Sequence, residues 1–79
     1  MEPIHLRYFR EVAAHGSVRH AAERLFVAQS AVRRQIALLE SELGVPLFDR
    51  HARGMSLTDA GRLLLTESSV KEIESIHAN

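Results

Sequence analysis

Polar and cationic side chains that could recognise nucleic acid cluster near the middle of the sequence. They are Gln29, Ser30, Arg33 and Arg34. An arginine can donate two hydrogen bonds to guanine O6 and N7, a glutamine can pair similarly with adenine, and the remaining donors can bind phosphates. A solvated helix face is the simpler interpretation of such a cluster. The surrounding elements decide between the two.

A helix over about residues 29–43 would bring these four side chains to one face. Apolar residues recur there at intervals of three and four, which predicts one buried stripe. The stripe consists of Val32, Ile36, Leu39 and Leu43. A rotation of 100° per residue then places the four polar side chains and Ala37 on the outward side. Gly44 and Pro46 should end the helix.

Two further helices are predicted upstream. Apolar spacing indicates a helix over about residues 3–15, and Gly16 suits a left-handed stop. Ser17 then suits the N-cap of a short helix over residues 18–25. The link 26–28 is too short and too apolar to be a solvated loop. A short helix, a tight turn and a longer helix form a helix-turn-helix, which favours nucleic-acid binding over a merely solvated face.

After the third helix the pattern changes to two short extended pieces with a polar tip, a β-hairpin or wing at about residues 47–57. Arg50 and Arg53 flank this tip, where arginine can enter a minor groove or bind its phosphates. A solvated turn is the alternative. Arg19 is a further candidate for backbone contact. Ser17 is mainly a cap, although an exposed helix N-terminus can receive a phosphate.

The last segment predicts a helix that begins after an N-cap at Thr58 and continues to the end of the sequence. We therefore divide the chain into a DNA-binding unit, residues 1–58, and a linker helix, residues 59–79. A partial apolar stripe, which includes Ala60 and Leu64, should lie beyond the compact core and meet a partner chain. The residues proposed for dimerisation are Leu63, Val70, Ile73 and Ile76.

The formal charge of the 79 residues is zero, which at first argues against binding to nucleic acid. That zero is a sum over stretches of opposite sign. Residues 19–34 carry +3 and residues 50–62 carry +2, whereas residues 35–49 carry −3 and residues 63–79 carry −2. We expect the fold to bring the two basic stretches to one DNA-facing side and to leave a dipolar domain.

Composition and spacing exclude several other classes of protein. With no cysteine there is neither a disulfide nor a thiolate metal site. No apolar run could span a membrane and no signal peptide is evident, so a soluble cytoplasmic protein is expected. The five histidines lack metal-site spacing, and no nucleophile or phosphate-loop motif is present. We therefore predict no enzyme activity, no metal and no cofactor.

The sequence resembles the N-terminal DNA-binding domain of LysR-type transcriptional regulators. The resemblance runs over nearly the whole chain. It is carried by L-R-Y-F (6–9), Gly16-Ser17, A-A-E-R-L (21–25), Val27, Gln29, Ala31, Arg34-Gln35-Ile36, Leu39-Glu40, Leu43-Gly44, Leu47-Phe48, Arg50, Leu57-Thr58 and Ala60-Gly61. It implies a mainly α winged helix-turn-helix followed by a long linker helix through which two domains dimerise.

The resemblance also implies roles for individual residues. The positions that contact DNA in the family fall on Gln29, Ser30, Arg33 and Arg34, with the wing at Arg50 and Arg53. The chain departs from the family at Ala28, Ser30, Arg33 and Arg19, where serine, proline, serine and a small hydroxyl residue are common. Ala28 should remove the usual N-cap of the third helix, a loss of about 1 kcal/mol unless Ser30 or water replaces it. Arg33 places a long cation where relatives have a short side chain, so base preference should differ from that of relatives.

Together these observations predict a bacterial transcriptional regulator that binds double-stranded operator DNA as a homodimer, with the third helix in the major groove and the wing at the minor groove. A tetramer is a further option for a full-length protein. A small-molecule effector would bind only through a C-terminal domain outside this sequence. The alternative is a helical dimerisation or protein-interaction module whose basic face is incidental.

Overall fold

The computed structural model describes residues 4–67 and contains four helices and one antiparallel hairpin. This confirms the predicted winged helix-turn-helix class. The elements are α1 (Ile4–His15), α2 (Val18–Leu25), α3 (Gln29–Leu43), β1 (Phe48–His51), β2 (Gly54–Leu57) and α4 (59–67, the described part).

The helix ends follow local signals in the sequence. Ser17 Oγ accepts a hydrogen bond from His20 N at 3.2 Å, so Ser17 is the N-cap of α2. Gly16 and Gly44 adopt left-handed φ angles of 65° and 72° where α1 and α3 stop. The N-cap of α3 is Ala28, with no side-chain hydrogen bond, as its departure from the family pattern predicts.

The turn between α2 and α3 is tight, but it is exposed. Phe26 has a left-handed φ of 57°, and its N–H lies within reach of Ala22 O and Glu23 O at the end of α2. Val27 N also donates to Ala22 O at 3.1 Å. The Phe26 side chain is 94% exposed. The expectation that this apolar link avoids solvent is therefore wrong, because the left-handed turn directs the ring outward.

One core joins the three helices to the hairpin. Its buried residues are Phe9, Val12, Val18, Ala21, Ala22, Val32, Ile36, Leu39, Leu47 and Phe48. The rings of Phe9 and Phe48 lie with their centroids 5.4 Å apart. Val32, Ile36 and Leu39 form the predicted inward stripe of α3. Leu43 does not complete it: at the last helical turn it is 48% exposed, because the described part of the chain does not cover that end.

The hairpin is more regular than the sequence indicates. Arg50 pairs with Met55, and His51 pairs with Gly54, so the unpaired tip is only residues 52–53. Met55 N donates to Gly16 O at 3.0 Å, which attaches the wing to the turn before α2. A Cβ on Gly54 would lie 2.5 Å from Gly16 O. This close approach requires glycine at position 54.

α4 starts against the base of the hairpin. Thr58 Oγ1 accepts from Gly61 N at 3.1 Å and donates to Pro46 O at 2.8 Å, which confirms the predicted N-cap. Ala60 and Leu64 are partly buried against the core, so the expectation that the whole stripe lies beyond the core is wrong for these two. Leu63 is 63% exposed. Val70, Ile73 and Ile76 lie outside the described residues.

Candidate nucleic-acid interface

The exposed face of α3 carries the four polar side chains that the sequence singles out. Gln29, Ser30, Arg33 and Arg34 are all solvent-exposed within the first two turns of the helix. They are exposed because burial of the inward stripe fixes the rotation of α3 about its axis. Ala37 extends the same exposed face by one turn. α3 thus presents cations, an amide and a hydroxyl together, without a covering element among residues 4–67.

Within this face, Gln29 and Arg33 contact each other. Arg33 Nη2 donates a hydrogen bond to Gln29 Oε1 across 3.3 Å, one helical turn apart. This contact between the two side chains was not predicted from the sequence. Their i, i+4 spacing on an exposed face is the signal that could have indicated the pair.

Several arginines remain available to an external anion. Arg33, Arg34, Arg50 and Arg53 form no ion pair with any other residue in the range 4–67. In contrast, Arg19 Nε lies 3.4 Å from Glu23 Oε1. Arg19 is therefore partly neutralised by its own helix, which makes it a weaker phosphate ligand than the other four.

The wing places its two arginines at different positions. Arg50 lies on β1, paired with Met55, whereas Arg53 lies in the two-residue tip. Both are exposed. The backbone N–H of Arg53 donates to His51 Nδ1 at 3.3 Å, which helps to hold the tip. The prediction that both arginines flank the tip is therefore wrong for Arg53, which belongs to the tip itself.

Attachment of the wing to the α1–α2 turn brings Ser17 into the same region. Because Met55 N donates to Gly16 O, the residue next to Ser17 in the chain is fixed against β2. The Ser17 hydroxyl accepts a hydrogen bond from His20 N in the first turn of α2, which fits its predicted role as a cap. The wing and the start of α2 are therefore adjacent.

The surface around Phe26 was not predicted from the sequence. The exposed ring borders a shallow depression of about 340 Å³, which is also lined by His15, His20, Glu23 and Arg24. No glycine marks this turn in the sequence, and that absence was the available signal of an unusual residue at a left-handed position. Nothing in the depression resembles an enclosed binding cavity.

Neither a metal site nor a membrane helix is present in the described range. Residues 4–67 contain no group of three or more histidine, aspartate or glutamate side chains close enough to hold a metal ion. No helix in that range is long and apolar enough to cross a membrane.

Residues 4–62 match the family model described as "Bacterial regulatory helix-turn-helix protein, lysR family". A curated relative, the HTH-type transcriptional regulator GalR of Pseudomonas putida, is 56% identical over 62 residues. These residues cover 78% of this chain but only 16% of GalR. The chain therefore spans about a sixth of the length of that relative.

Two solved DNA complexes are similar to this chain in fold and sequence. The crystal structure of the CbnR_DBD–DNA complex superimposes with a TM-score of 0.85 at 39% identity and covers 99% of this chain and 91% of that one. The BenM_DBD/catB site 1 DNA complex gives 0.80 at 36% identity, with 99% and 93% covered. Fold, family model and identity agree, and the chain belongs to the lysR family of bacterial regulatory helix-turn-helix proteins.

Proposed function

We propose that this domain binds double-stranded DNA in a sequence-specific way, with α3 in the major groove. The observation that supports this proposal is the exposed face of α3, which carries Gln29, Ser30, Arg33 and Arg34. A helix fits the major groove of B-DNA, and these side chain types match acceptors on base edges and phosphates. The fold shared with the CbnR and BenM domains, which were solved with DNA, supports this placement.

The wing would bind at the adjacent minor groove. Arg50 and Arg53 are exposed cations without an internal ion pair among residues 4–67, and arginine is favoured in narrow minor grooves. Ser17 and Arg19 would contribute at the phosphate backbone, next to the wing. Gln29 and Arg33 would contact bases, whereas Arg34 and Ser30 would contact either bases or phosphates.

We further propose that the chain acts as a dimer within a transcriptional regulator. Residues 1–58 would form the DNA-binding unit and residues 59–79 the linker helix, with Leu63, Val70, Ile73 and Ile76 facing a second copy. Two-fold symmetry then requires an inverted-repeat site with half-sites about one helical turn apart, or a multiple of it. Regulation by a small molecule would depend on a part of the regulator beyond this sequence.

The place of action would be the cytoplasm, where a bacterial regulator meets its DNA. No catalytic step is proposed, and the relatives are regulators of transcription. The competing function is a helical dimerisation or protein-interaction module. The exposed apolar positions Phe26 and Leu63 are the observations that favour it.

Fluorescence anisotropy of a mixed-sequence duplex at 50 and 200 mM salt separates the two functions. DNA binding through several phosphate contacts should weaken steeply with salt, by a factor of about 10³ or more for six contacts. Replacing Arg53 with alanine should flatten the salt dependence, since about one phosphate contact is lost. Replacement of Arg62, which is paired with Asp59, provides the matched control. Absence of binding at low salt would favour the interaction module.

A further inference from the structure

The hydrogen bond between Gln29 and Arg33 links two side chains to which the proposed function assigns base contact. Arg33 Nη2 lies 3.3 Å from Gln29 Oε1 on the exposed face of α3. A guanidinium has five N–H donors and no acceptor. The Gln29 amide therefore turns its carbonyl oxygen towards Arg33, and its NH₂ group points in another direction.

This orientation limits what Gln29 can offer to a base. Two-bond recognition of adenine needs both ends of the amide, because the oxygen accepts from N6 and the nitrogen donates to N7. Because the amide oxygen accepts from Arg33, one turn further along the helix, the NH₂ group is the part of the amide that can contact a base in the groove. The pair then presents N–H donors alone, from the amide and from the remaining positions of the guanidinium.

We propose that Arg33 converts Gln29 into a donor-only side chain, so that the pair selects guanine where glutamine alone would select adenine. The proposal rests on DNA binding as proposed above. Guanine presents two acceptors, O6 and N7, in the major groove. Adenine presents one acceptor beside an amino group, and cytosine presents an amino group. Donors from the pair would therefore oppose donors on adenine or cytosine.

The hydrogen bond between Gln29 and Arg33 should persist when α3 enters a groove that excludes water. Both side chains are exposed in the free domain, where such a bond contributes little. When a groove excludes water, a bond from a charged donor strengthens, and breaking it would leave a desolvated guanidinium N–H without a partner. Arg34 lies on the same exposed face without a hydrogen bond to Gln29. It therefore supplies the matched control.

The test begins with the preferred site of the 79-residue chain, selected from a random duplex pool. The position contacted by Gln29 is the one at which Gln29→Ala loses discrimination between bases. Anisotropy is then measured with four duplexes that differ only at that base pair. The wild-type chain should favour guanine over adenine by about 10-fold or more. Arg33→Ser and Arg33→Ala free the amide oxygen and should move the preference to adenine.

The control should give a different pattern. Arg34→Ser should weaken binding to all four duplexes and leave their order unchanged. An identical base order in wild type and both Arg33 variants would overturn the inference, and so would a Gln29→Ala variant that loses discrimination nowhere. Circular dichroism confirms folding of each variant. A wild-type chain that binds no duplex would instead overturn the proposed function, so the two failures are distinguishable.

Discussion

At the scale of single residues, Phe26 combines an unfavourable backbone conformation with an exposed apolar side chain. It adopts a left-handed φ of 57° while its ring is 94% exposed, so the side chain gains little from packing. A left-handed conformation costs an L-residue roughly 1–2 kcal/mol, and the entropy of glycine offsets part of this. Phe26→Gly should therefore stabilise the domain by about 0.5–1 kcal/mol, which raises Tm by a few degrees.

Thermal unfolding followed by circular dichroism at equal protein concentration measures this difference. Phe26→Ala is the control, because alanine removes the ring but keeps the strained φ. A glycine variant no more stable than the alanine variant would show that the left-handed turn stores no strain.

The polar residues of α3 illustrate how much was predictable at this scale. Exposure of Gln29, Arg33 and Arg34 followed from helical periodicity, because burial of three apolar residues fixes the rotation of α3. The direct contact between Gln29 and Arg33 depends on side-chain rotamers, which the sequence pattern does not determine. Exposure of Phe26 was missed because its apolar type suggested burial, whereas the backbone conformation of the turn decided its direction.

At the scale of elements, Gly61 determines how closely α4 approaches the hairpin. A Cβ at this position would lie 2.3 Å from Leu47 O and 2.9 Å from Leu57 Cδ2. The backbone oxygen cannot move aside cheaply, so Gly61→Ala should push α4 away and destabilise the domain by about 1–3 kcal/mol. In an unobstructed helix interior, alanine would instead be the more stable residue by about 1 kcal/mol.

Urea unfolding of Gly61→Ala against wild type measures the effect. Gly44→Ala is the reference variant, because its added Cβ meets nothing within 4 Å and its cost of roughly 1–2 kcal/mol comes from the left-handed φ alone. A gain in stability at Gly61 would contradict the close approach of α4 and the hairpin.

Element boundaries were largely predictable because they depend on adjacent residues. Ser17 and Thr58 cap the helices that follow them, and Gly16 and Gly44 end the helices before them. Contacts between distant residues were not predictable in this way. Glu40 Oε2 accepts from Leu47 N at 2.7 Å across the turn after α3, and no local pattern indicates that bond.

At the scale of the whole molecule, the arrangement of charge depends on where the wing is attached to the helices. The hydrogen bond from Met55 N to Gly16 O holds the wing beside the start of α2, so the +2 stretch lies next to the beginning of the +3 stretch. The sequence predicts the sign of each stretch but not this contact. A chain with zero net charge should bind random DNA more weakly than a uniformly basic one. Tight binding would then depend on base contacts and on a second copy.

Association with a second copy through α4 should depend on Leu63. Its side chain is 63% exposed on α4, whereas Leu64 and Leu65 pack against the core of the same chain. An apolar side chain left in solvent beside core-facing neighbours is available to a partner helix. Leu63→Glu should therefore leave the fold intact and weaken self-association by at least about 10-fold, which corresponds to about 1.4 kcal/mol.

Sedimentation equilibrium over a range of concentrations measures the association. Leu38→Glu is the matched control, since Leu38 is an exposed leucine on α3, 48% accessible and outside the proposed stripe. The Leu63 variant should also lose affinity for an inverted-repeat duplex while keeping affinity for a single half-site, because only the coupling between two domains is removed. A wild-type chain that stays monomeric at high concentration would contradict dimerisation through this helix. Equal weakening by both variants would show that added charge, and not the position of Leu63, drives the change.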